Sequence, residues 1–283
     1  MDVPYSQIFF PPGFQELFST WNRFPDALPC AGGTGFIHAQ GRRVPQLNQN
    51  IISLDEIEDL RKISRTERYL EIGAMVKLNQ VINLGKIVPE AITRCLLLVA
   101  DPQVRSQATI GGNICFPSRK LDACAPMIAL DAQYELRTAQ SSRWVSASRF
   151  SSMEGPSALA GQELLTRIRV PLTPWTFTWY SKFHNSTCNE GGGAILFIMR
   201  NEKNILTDIR IVCTGTAILR EKNSETMLLG KRLPLSRKDA EAFADCWKNY
   251  LSGIGSMGEH PQAELAKSRI INFIKTMLRH ISD

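Results

Sequence analysis

Two glycine pairs constrain the fold of this chain more than any other sequence feature. The first lies in the segment Ala31-Gly32-Gly33-Thr34-Gly35 and the second in Ile110-Gly111-Gly112-Asn113-Ile114, each after an extended or apolar stretch. Glycine lets a backbone approach a ligand closely, and successive oriented N–H groups form an anion-binding concavity. Neither pair has the spacing of G-x-G-x-x-G or of a Walker loop, so a Rossmann or P-loop domain is not indicated.

Two such loops in one domain would suit the two phosphates of a dinucleotide, with side-chain hydrogen bonds from Thr34, Thr109 and Asn113. Taken singly, each glycine pair is more often an ordinary tight turn, so the hypothesis depends on the two pairs together. Asp122 follows the second pair and would either reach ribose or ribityl hydroxyls or cap the apolar helix after it. Lys182 lies in a strand beside aromatic residues and would either lie near a ring or phosphate or be a solvated lysine.

Length and charge narrow the class of protein. A chain of 283 residues predicts about two domains. Its 33 basic and 27 acidic residues leave a net charge of +6 that is spread along the chain, so nucleic-acid binding is not indicated. Apolar runs are short, about six residues from Ala194 to Met199, and no signal peptide is recognisable, so we predict a cytoplasmic protein without a membrane span.

The reactive side chains predict no metal site or catalytic residue in this chain. The seven cysteines contain no CxxC pair, which favours reduced buried thiols over iron–sulfur or metal ligation. The four histidines lack zinc-like spacing. No Ser-His-Asp order or nucleophile elbow is visible, so the catalytic residues remain unassigned.

The hydrophobic spacing predicts a chain of mixed helices and strands. The first 65 or so residues, together with a strand at 69–73, are expected to form a small βαβ-like unit, with helices at 14–21 and 36–39 and a strand at 50–54. A second unit is expected to hold helices at 77–84, 91–100 and 122–130, a hairpin at 134–138 and 143–145, and a strand at 164–170. The last part is expected to form an antiparallel meander at 176–183, 194–200 and 206–213, followed by two helices, the first capped by Ser236.

The second glycine segment carries a specific family resemblance. The string Gln107 to Ile114, with Arg105 before it and Asp122 after it, resembles the second flavin loop of the FAD-binding subunit of molybdenum hydroxylases. That family contains xanthine dehydrogenase, carbon monoxide dehydrogenase and aldehyde oxidoreductase. Other segments resemble the family in collinear order: Ala31–Thr34, Ile72–Ala74, Met127–Asp131, Glu163–Pro171, Lys182 and Glu225–Gly230.

The resemblance implies an α+β fold of the type shared with vanillyl-alcohol oxidases. Residues 1–173 would form the FAD-binding domain, with subdomains at about 1–65 and 66–173. Residues 174–283 would form a C-terminal domain of antiparallel sheet and helices.

The resemblance also implies a cofactor and a site. FAD would be bound by Cys30, Ala31, Gly32, Gly33, Thr34, Gly35, Phe36, Ala108, Thr109, Gly111, Gly112, Asn113, Asp122, Leu164, Leu165 and Lys182. A bulky residue at Gly111 or Gly112 would then block the pyrophosphate while leaving the fold largely intact.

The function implied is that of the flavin subunit of a hetero-oligomeric, FAD-dependent oxidoreductase. Electrons would come from [2Fe-2S] centres on one partner subunit, fed by a molybdopterin subunit, and pass through FAD to NAD or another acceptor. Two alternatives stay open: a stand-alone FAD-dependent oxidoreductase of the same fold, and a non-catalytic assembly subunit that has lost FAD.

Two departures from the family pattern bear on FAD retention. Gly35 stands where the family has an acidic residue, and the small residues expected after Asn113 are replaced by bulky ones, among them Phe116, Arg119 and Lys120.

Overall fold

The structure is a computed structural model, which describes residues 6–41, 49–116, 122–152, 159, 161–183, 193–215, 218–254 and 261–282. The chain divides into two compact units, Met1–Leu172 and Thr173–Asp283, which are described separately below.

The first unit begins with a small parallel sheet in the strand order β1-β3-β2. Its strands are β1 (Ile8–Phe9), β2 (Leu28–Cys30) and β3 (Ile51–Ser53). Helix α1 (Phe14–Arg23) joins β1 to β2 and buries Leu17, Phe18 and Trp21, so the helix predicted from their spacing is confirmed. Helix α2 (Thr34–Gln40) follows β2, as predicted, and ends at Gly41, whose φ is +64°.

A five-stranded antiparallel sheet follows, in the order β4-β5-β8-β6-β7. Its strands are β4 (Ile63–Arg65), β5 (Tyr69–Gly73), β6 (Gln133–Arg137), β7 (Ser142–Ser146) and β8 (Leu164–Pro171). The sequence analysis placed β5 in the first βαβ-like unit, and this was wrong. Leu70 and Ile72 of β5 lie opposite Val170 and Ile168 of β8, and all four side chains are fully buried, so the cross-strand apolar pairs decide where β5 belongs.

Short helices pack around this sheet. They are α3 (Leu78–Asn83), α4 (Glu90–Leu97), α5 (Pro102–Gln107), α6 (Ile110–Ile114), α7 (Cys124–Ala129) and α8 (Ala147–Ser152), with 3₁₀ turns at Glu58–Arg61 and Gly85–Ile87. The helices predicted at 77–84, 91–100 and 122–130 are thereby confirmed, each somewhat shorter. The second glycine pair was expected to form a turn but lies inside α6, because the Thr109 side chain caps that helix by accepting a hydrogen bond from the Gly112 N–H at 3.0 Å.

The second unit is built on the predicted antiparallel meander. Strands β9 (Phe177–Phe183), β10 (Gly193–Glu202) and β11 (Ile205–Thr214) are followed by helices α9 (Lys222–Leu228), α10 (Arg237–Gly253) and α11 (Pro261–Ser282). The predicted cap of α10 is confirmed, since Ser236 Oγ accepts a hydrogen bond from the Asp239 N–H at 3.1 Å. Phe243 and Trp247 of α10 and Ile274 of α11 are fully buried in one apolar core with the β10–β11 pair. The sequence also predicts a turn at residues 191–193; residues 191 and 192 lie outside the described residues, and Gly193 begins β10.

The segment Glu225–Gly230 has a structural role inside this second unit. The Glu225 carboxylate accepts hydrogen bonds from the Ile211 N–H at 3.1 Å and from the Arg220 guanidinium at 2.9 Å. Gly230, with a φ of +78°, ends the α9 segment. Glu225 thus ties α9 to strand β11. None of the helices in the described part of the chain is both long and apolar enough to cross a membrane.

Candidate functional site

The first glycine segment turns the chain from β2 into α2. Gly33 precedes α2 with a φ of +68°, a left-handed conformation that glycine adopts without strain. Thr34, Gly35 and Phe36 form the start of the helix, where backbone N–H groups have no acceptor within the helix. Among the described residues, none of these three N–H groups donates to another protein group. The first segment therefore retains backbone donors for a ligand, and residues 31–36 are all partly exposed.

The second glycine segment differs from the sequence-based expectation, because its N–H groups are used within the protein. The Ile110 N–H donates to the Val76 carbonyl and the Gly111 N–H to the Ala74 carbonyl, both at 2.9 Å. The Gly112 N–H donates to the Thr109 hydroxyl oxygen. The second segment is thus no nest of free donors, and what it offers a ligand is the exposed surface at Gly112, where a side chain is absent.

The two glycine segments lie directly against each other in the first unit. A Cβ on Gly32 would be 2.0 Å from the Gln107 carbonyl oxygen, so only glycine permits this approach. A Cβ on Gly112 would be 3.7 Å from the Ala31 Cβ. The sequence could suggest two loops around one ligand, and the structure brings the two loops together.

A segment that the sequence analysis did not include in the site supports the second loop. The Leu78 N–H donates to the Ala108 carbonyl at 2.9 Å, which extends the pairing made by Ala74 and Val76. The Ala74 N–H donates in turn to the Thr166 carbonyl of β8, also at 2.9 Å. Residues 74–78 therefore connect the second loop to β8 at Thr166, which directly follows Leu164 and Leu165, both buried at the start of that strand. The sequence signals for this role are the small residue Ala74, next to Gly73, and the family resemblance of Ile72–Ala74.

Gly111 packs against Ala74, so the expectation that a bulky residue at Gly111 would leave the fold largely intact is wrong. A Cβ on Gly111 would lie 2.7 Å from the Ala74 Cβ and 2.8 Å from its carbonyl oxygen. A bulky residue at Gly111 would therefore disturb the packing of α6 and could not leave the fold intact. At the exposed Gly112, the nearest atom to a Cβ would be the Thr109 hydroxyl oxygen at 2.9 Å.

The Asn113 side chain accepts a hydrogen bond from the residue that follows Asp122. The Asn113 side chain is buried, and its Oδ1 accepts a hydrogen bond from the Ala123 N–H at 3.1 Å. Asp122, the residue before Ala123, is partly exposed. Asn113 therefore holds the backbone beside Asp122, and only its Nδ2 group remains to donate to a ligand.

Three side chains near the first loop, Cys30, Asp55 and Lys77, affect one another's ionisation. Burial raises the pKa of the Cys30 thiol, and the Asp55 carboxylate raises it further, so Cys30 is a neutral thiol near pH 7. Burial lowers the pKa of Lys77, although the Asp55 carboxylate opposes that effect. No group of three or more His, Cys, Asp or Glu side chains within the described residues could hold a metal ion.

Lys182 is the one predicted site residue in the second unit. It lies in β9 opposite Ala194 of β10 and is partly exposed. The other fifteen predicted site residues belong to the first unit.

Two glycine segments packed together on an α+β scaffold are compatible with a nucleotide-binding domain, and the comparison with known families shows which kind. The family described as the FAD-binding domain in molybdopterin dehydrogenase matches residues 4–173. The match covers more than half of the chain, and the chain belongs to this family of FAD-binding oxidoreductase subunits.

Individual relatives agree with this assignment. The chain is 30% identical over 225 residues to the carbon monoxide dehydrogenase medium chain of Hydrogenophaga pseudoflava, covering 78% of this chain and 77% of the relative. It is 22% identical over 268 residues to the nicotine 6-hydroxylase medium subunit of Paenarthrobacter nicotinovorans, covering 92% and 93%. A solved carbon monoxide dehydrogenase from Hydrogenophaga pseudoflava superimposes with a TM-score of 0.79 at 26% identity, covering 98% of this chain and 96% of that one.

The residues present fit the family's cofactor. FAD carries an anionic pyrophosphate, and the N–H groups of Thr34, Gly35 and Phe36 face no protein acceptor among the described residues. Gly112 is exposed, and a Cβ there would lie 3.7 Å from the Ala31 Cβ, so a larger side chain would cover the surface where the two segments meet.

Proposed function

We propose that the chain binds FAD between its two glycine segments and serves as the electron-transferring flavin subunit of a molybdenum hydroxylase complex. The observation that carries the proposal is the close approach of Gly32 to the Gln107 backbone, which brings together two segments that are distant in the sequence. Residues 1–173 are assigned to the FAD-binding domain and 174–283 to the C-terminal domain.

Each part of the site has a separate task in this proposal. The first segment, from Cys30 to Phe36, donates backbone hydrogen bonds to the pyrophosphate. The second, from Ala108 to Asn113, supplies the close surface at Gly112 and holds the backbone before Ala123, so that Asp122 binds the ribityl hydroxyls. Leu164 and Leu165 flank the ring. Bound FAD supplies the two-electron chemistry, and the chain binds and orients it.

The electron path is assigned from the family. In the proposal, an iron–sulfur subunit reduces the flavin, a molybdopterin subunit feeds the iron–sulfur centres, and NAD or another acceptor takes the electrons. Two relatives are named as medium chains or subunits of enzymes acting on different compounds, carbon monoxide and nicotine. This supports assigning substrate choice to another subunit. A cytoplasmic location stays a prediction, which cell fractionation can check.

The sharpest test places a negative charge where the pyrophosphate is proposed to bind. Thr34 is the first residue of α2, and an acidic residue at the start of a helix stabilises the helix. The variant Thr34→Glu should therefore melt at or above the wild-type temperature while its Kd for FAD rises at least about tenfold, equivalent to about 1.4 kcal/mol. Thr34→Gln, of similar size but uncharged, is the control and should bind FAD much more tightly than Thr34→Glu.

The outcome separates a binding role from a structural one. Equal FAD affinity in the Thr34→Glu, Thr34→Gln and wild-type proteins would contradict the assignment of the first segment. Fluorescence titration of the refolded, FAD-free chain gives the Kd, and circular dichroism gives the melting temperature.

The alternatives make different predictions for the purified protein. A colourless chain that cannot be reconstituted with FAD would favour the assembly-subunit alternative, for which the bulky Phe116 beside the second loop is the relevant feature. A yellow chain that purifies alone and reduces its flavin directly with a small substrate would favour the stand-alone oxidoreductase. Co-purification with an iron–sulfur chain and a molybdopterin chain would support the proposal.

A further inference from the structure

Gly35 in the first loop and Phe116 after the second are in direct contact. A Cβ built on Gly35 would lie 2.6 Å and 2.8 Å from two carbon atoms of the Phe116 ring. Both distances are far below van der Waals contact. The Phe116 ring therefore occupies the space that a side chain at position 35 would need, and Gly35 and Phe116 fit each other.

The contact joins the ends of the two proposed FAD-binding loops. Gly35 is the second residue of α2, in the first loop, and Phe116 follows the end of α6, in the second. Gly35 and Phe116 are both partly buried. The loops already meet at Gly32 and Gln107, so the ring adds a second point of contact on the far side of Gly33.

We propose that Phe116 is a positioning residue that, by packing on Gly35, fixes the spacing of the two loops and so sets how tightly FAD is retained. The inference rests on the proposed FAD site. A site whose parts are held in the binding geometry loses less entropy when the ligand binds.

The contact can be tested with a double variant, because removing the Phe116 ring should abolish the harmful effect of a methyl group at position 35. Alanine is a better helix former than glycine, so Gly35→Ala should stabilise α2 unless the ring is in the way. In the wild-type background Gly35→Ala should displace the ring and raise the Kd for FAD about tenfold, and Phe116→Ala should do the same. When Phe116→Ala is already present, Gly35→Ala should raise the Kd no further and should increase the melting temperature.

The experiment compares the wild type, the two single variants and the double variant by FAD titration, FAD dissociation rate and melting temperature of the FAD-free chain. Gly253→Ala is the control, since a Cβ at Gly253, the last residue of α10, would meet nothing within 4 Å. Its effect should be the same with and without Phe116. Phe116→Tyr, which keeps the ring, should restore wild-type FAD retention.

Three results would overturn the inference or its basis. Wild-type FAD affinity in Phe116→Ala would show that the ring does not control retention. Strictly additive changes in melting temperature for Gly35→Ala and Phe116→Ala would show that the two positions are not coupled. A wild-type chain that binds no FAD, with the coupling in melting temperature still present, would overturn the proposed function and the retention role while leaving the contact itself supported.

Discussion

The closest approach of the two glycine segments gives the strongest prediction about this fold. A methyl group on Gly32 would be 2.0 Å from the Gln107 carbonyl oxygen, whereas ordinary contact begins at 3.4 Å. The two backbones would have to separate by about 1.4 Å, the difference between these distances. The neighbouring Ala108 carbonyl accepts its hydrogen bond from the Leu78 N–H at 2.9 Å. If residues 107 and 108 take up this displacement, the Leu78–Ala108 bond breaks, since N–H to O bonds extend to about 3.2 Å.

The cost of Gly32→Ala follows from these two effects. Forcing extra volume into packed structure costs about 1–3 kcal/mol, and a buried backbone group that loses its partner costs about 1–3 kcal/mol. We expect a loss of about 2–4 kcal/mol, the lower-middle part of that combined range. For a domain of this size, that corresponds to a decrease in melting temperature of roughly 5–15 °C.

The assay is thermal unfolding of the FAD-free chain by circular dichroism, followed by FAD titration at a temperature where the variant remains folded. Gly253→Ala adds the same methyl group in open space and serves as the control. A Gly32→Ala chain that melts within about 2 °C of the wild type would refute the reasoning, because a shift of about 1.4 Å could not then have occurred at the cost described.

Two further predictions concern buried and partly buried carboxylates. Burial raises the pKa of Glu71, but hydrogen bonds from Arg169 and Arg167 outweigh it and lower that pKa below its ordinary value of 4.5. Glu71 therefore stabilises the fold above pH 4.5 and loses this contribution as the pH falls through its lowered pKa. The difference in free energy of unfolding between wild type and Glu71→Gln should be constant near neutral pH and shrink in acid. Urea titrations at several pH values measure this difference, and a difference that does not change with pH would contradict the prediction. Glu225→Ala should lower the free energy of unfolding of the second unit by about 3–5 kcal/mol, because it leaves the Arg220 guanidinium and the Ile211 N–H without their acceptor. A loss below about 1 kcal/mol in the same assay would argue against this role of Glu225.

Local patterns in the sequence were sufficient to predict the regular elements. The apolar stripes of α1 and α10, the hairpin of β6 and β7, and the Ser236 cap all depend on residues close together in the chain. Their spacing alone identifies the buried face. The family resemblance added the order of these elements and the cofactor.

Features that depend on distant contacts could not be predicted from the sequence. The sequence of the second glycine pair predicts a turn, but the pair is helical. The Thr109 side chain caps the helix, and the carbonyl of Ala74, distant in sequence, accepts a hydrogen bond from the Gly111 N–H. The contact between Gly35 and Phe116 could not be predicted from the sequence either, because the two residues are distant in the chain and neither one alone indicates the other. The predicted FAD contacts themselves stay predictions.

The pairing of β5 with β8 has a consequence for how the chain is synthesised. Residues 69–73 complete their sheet only when residues 167–171 are available. At about 5–20 residues per second, the ribosome needs roughly 5–20 s to make the intervening stretch of about 100 residues. During that time Leu70 and Ile72 can pair only with the three-residue strand β4, so the other edge of β5 stays open until β8 has been made.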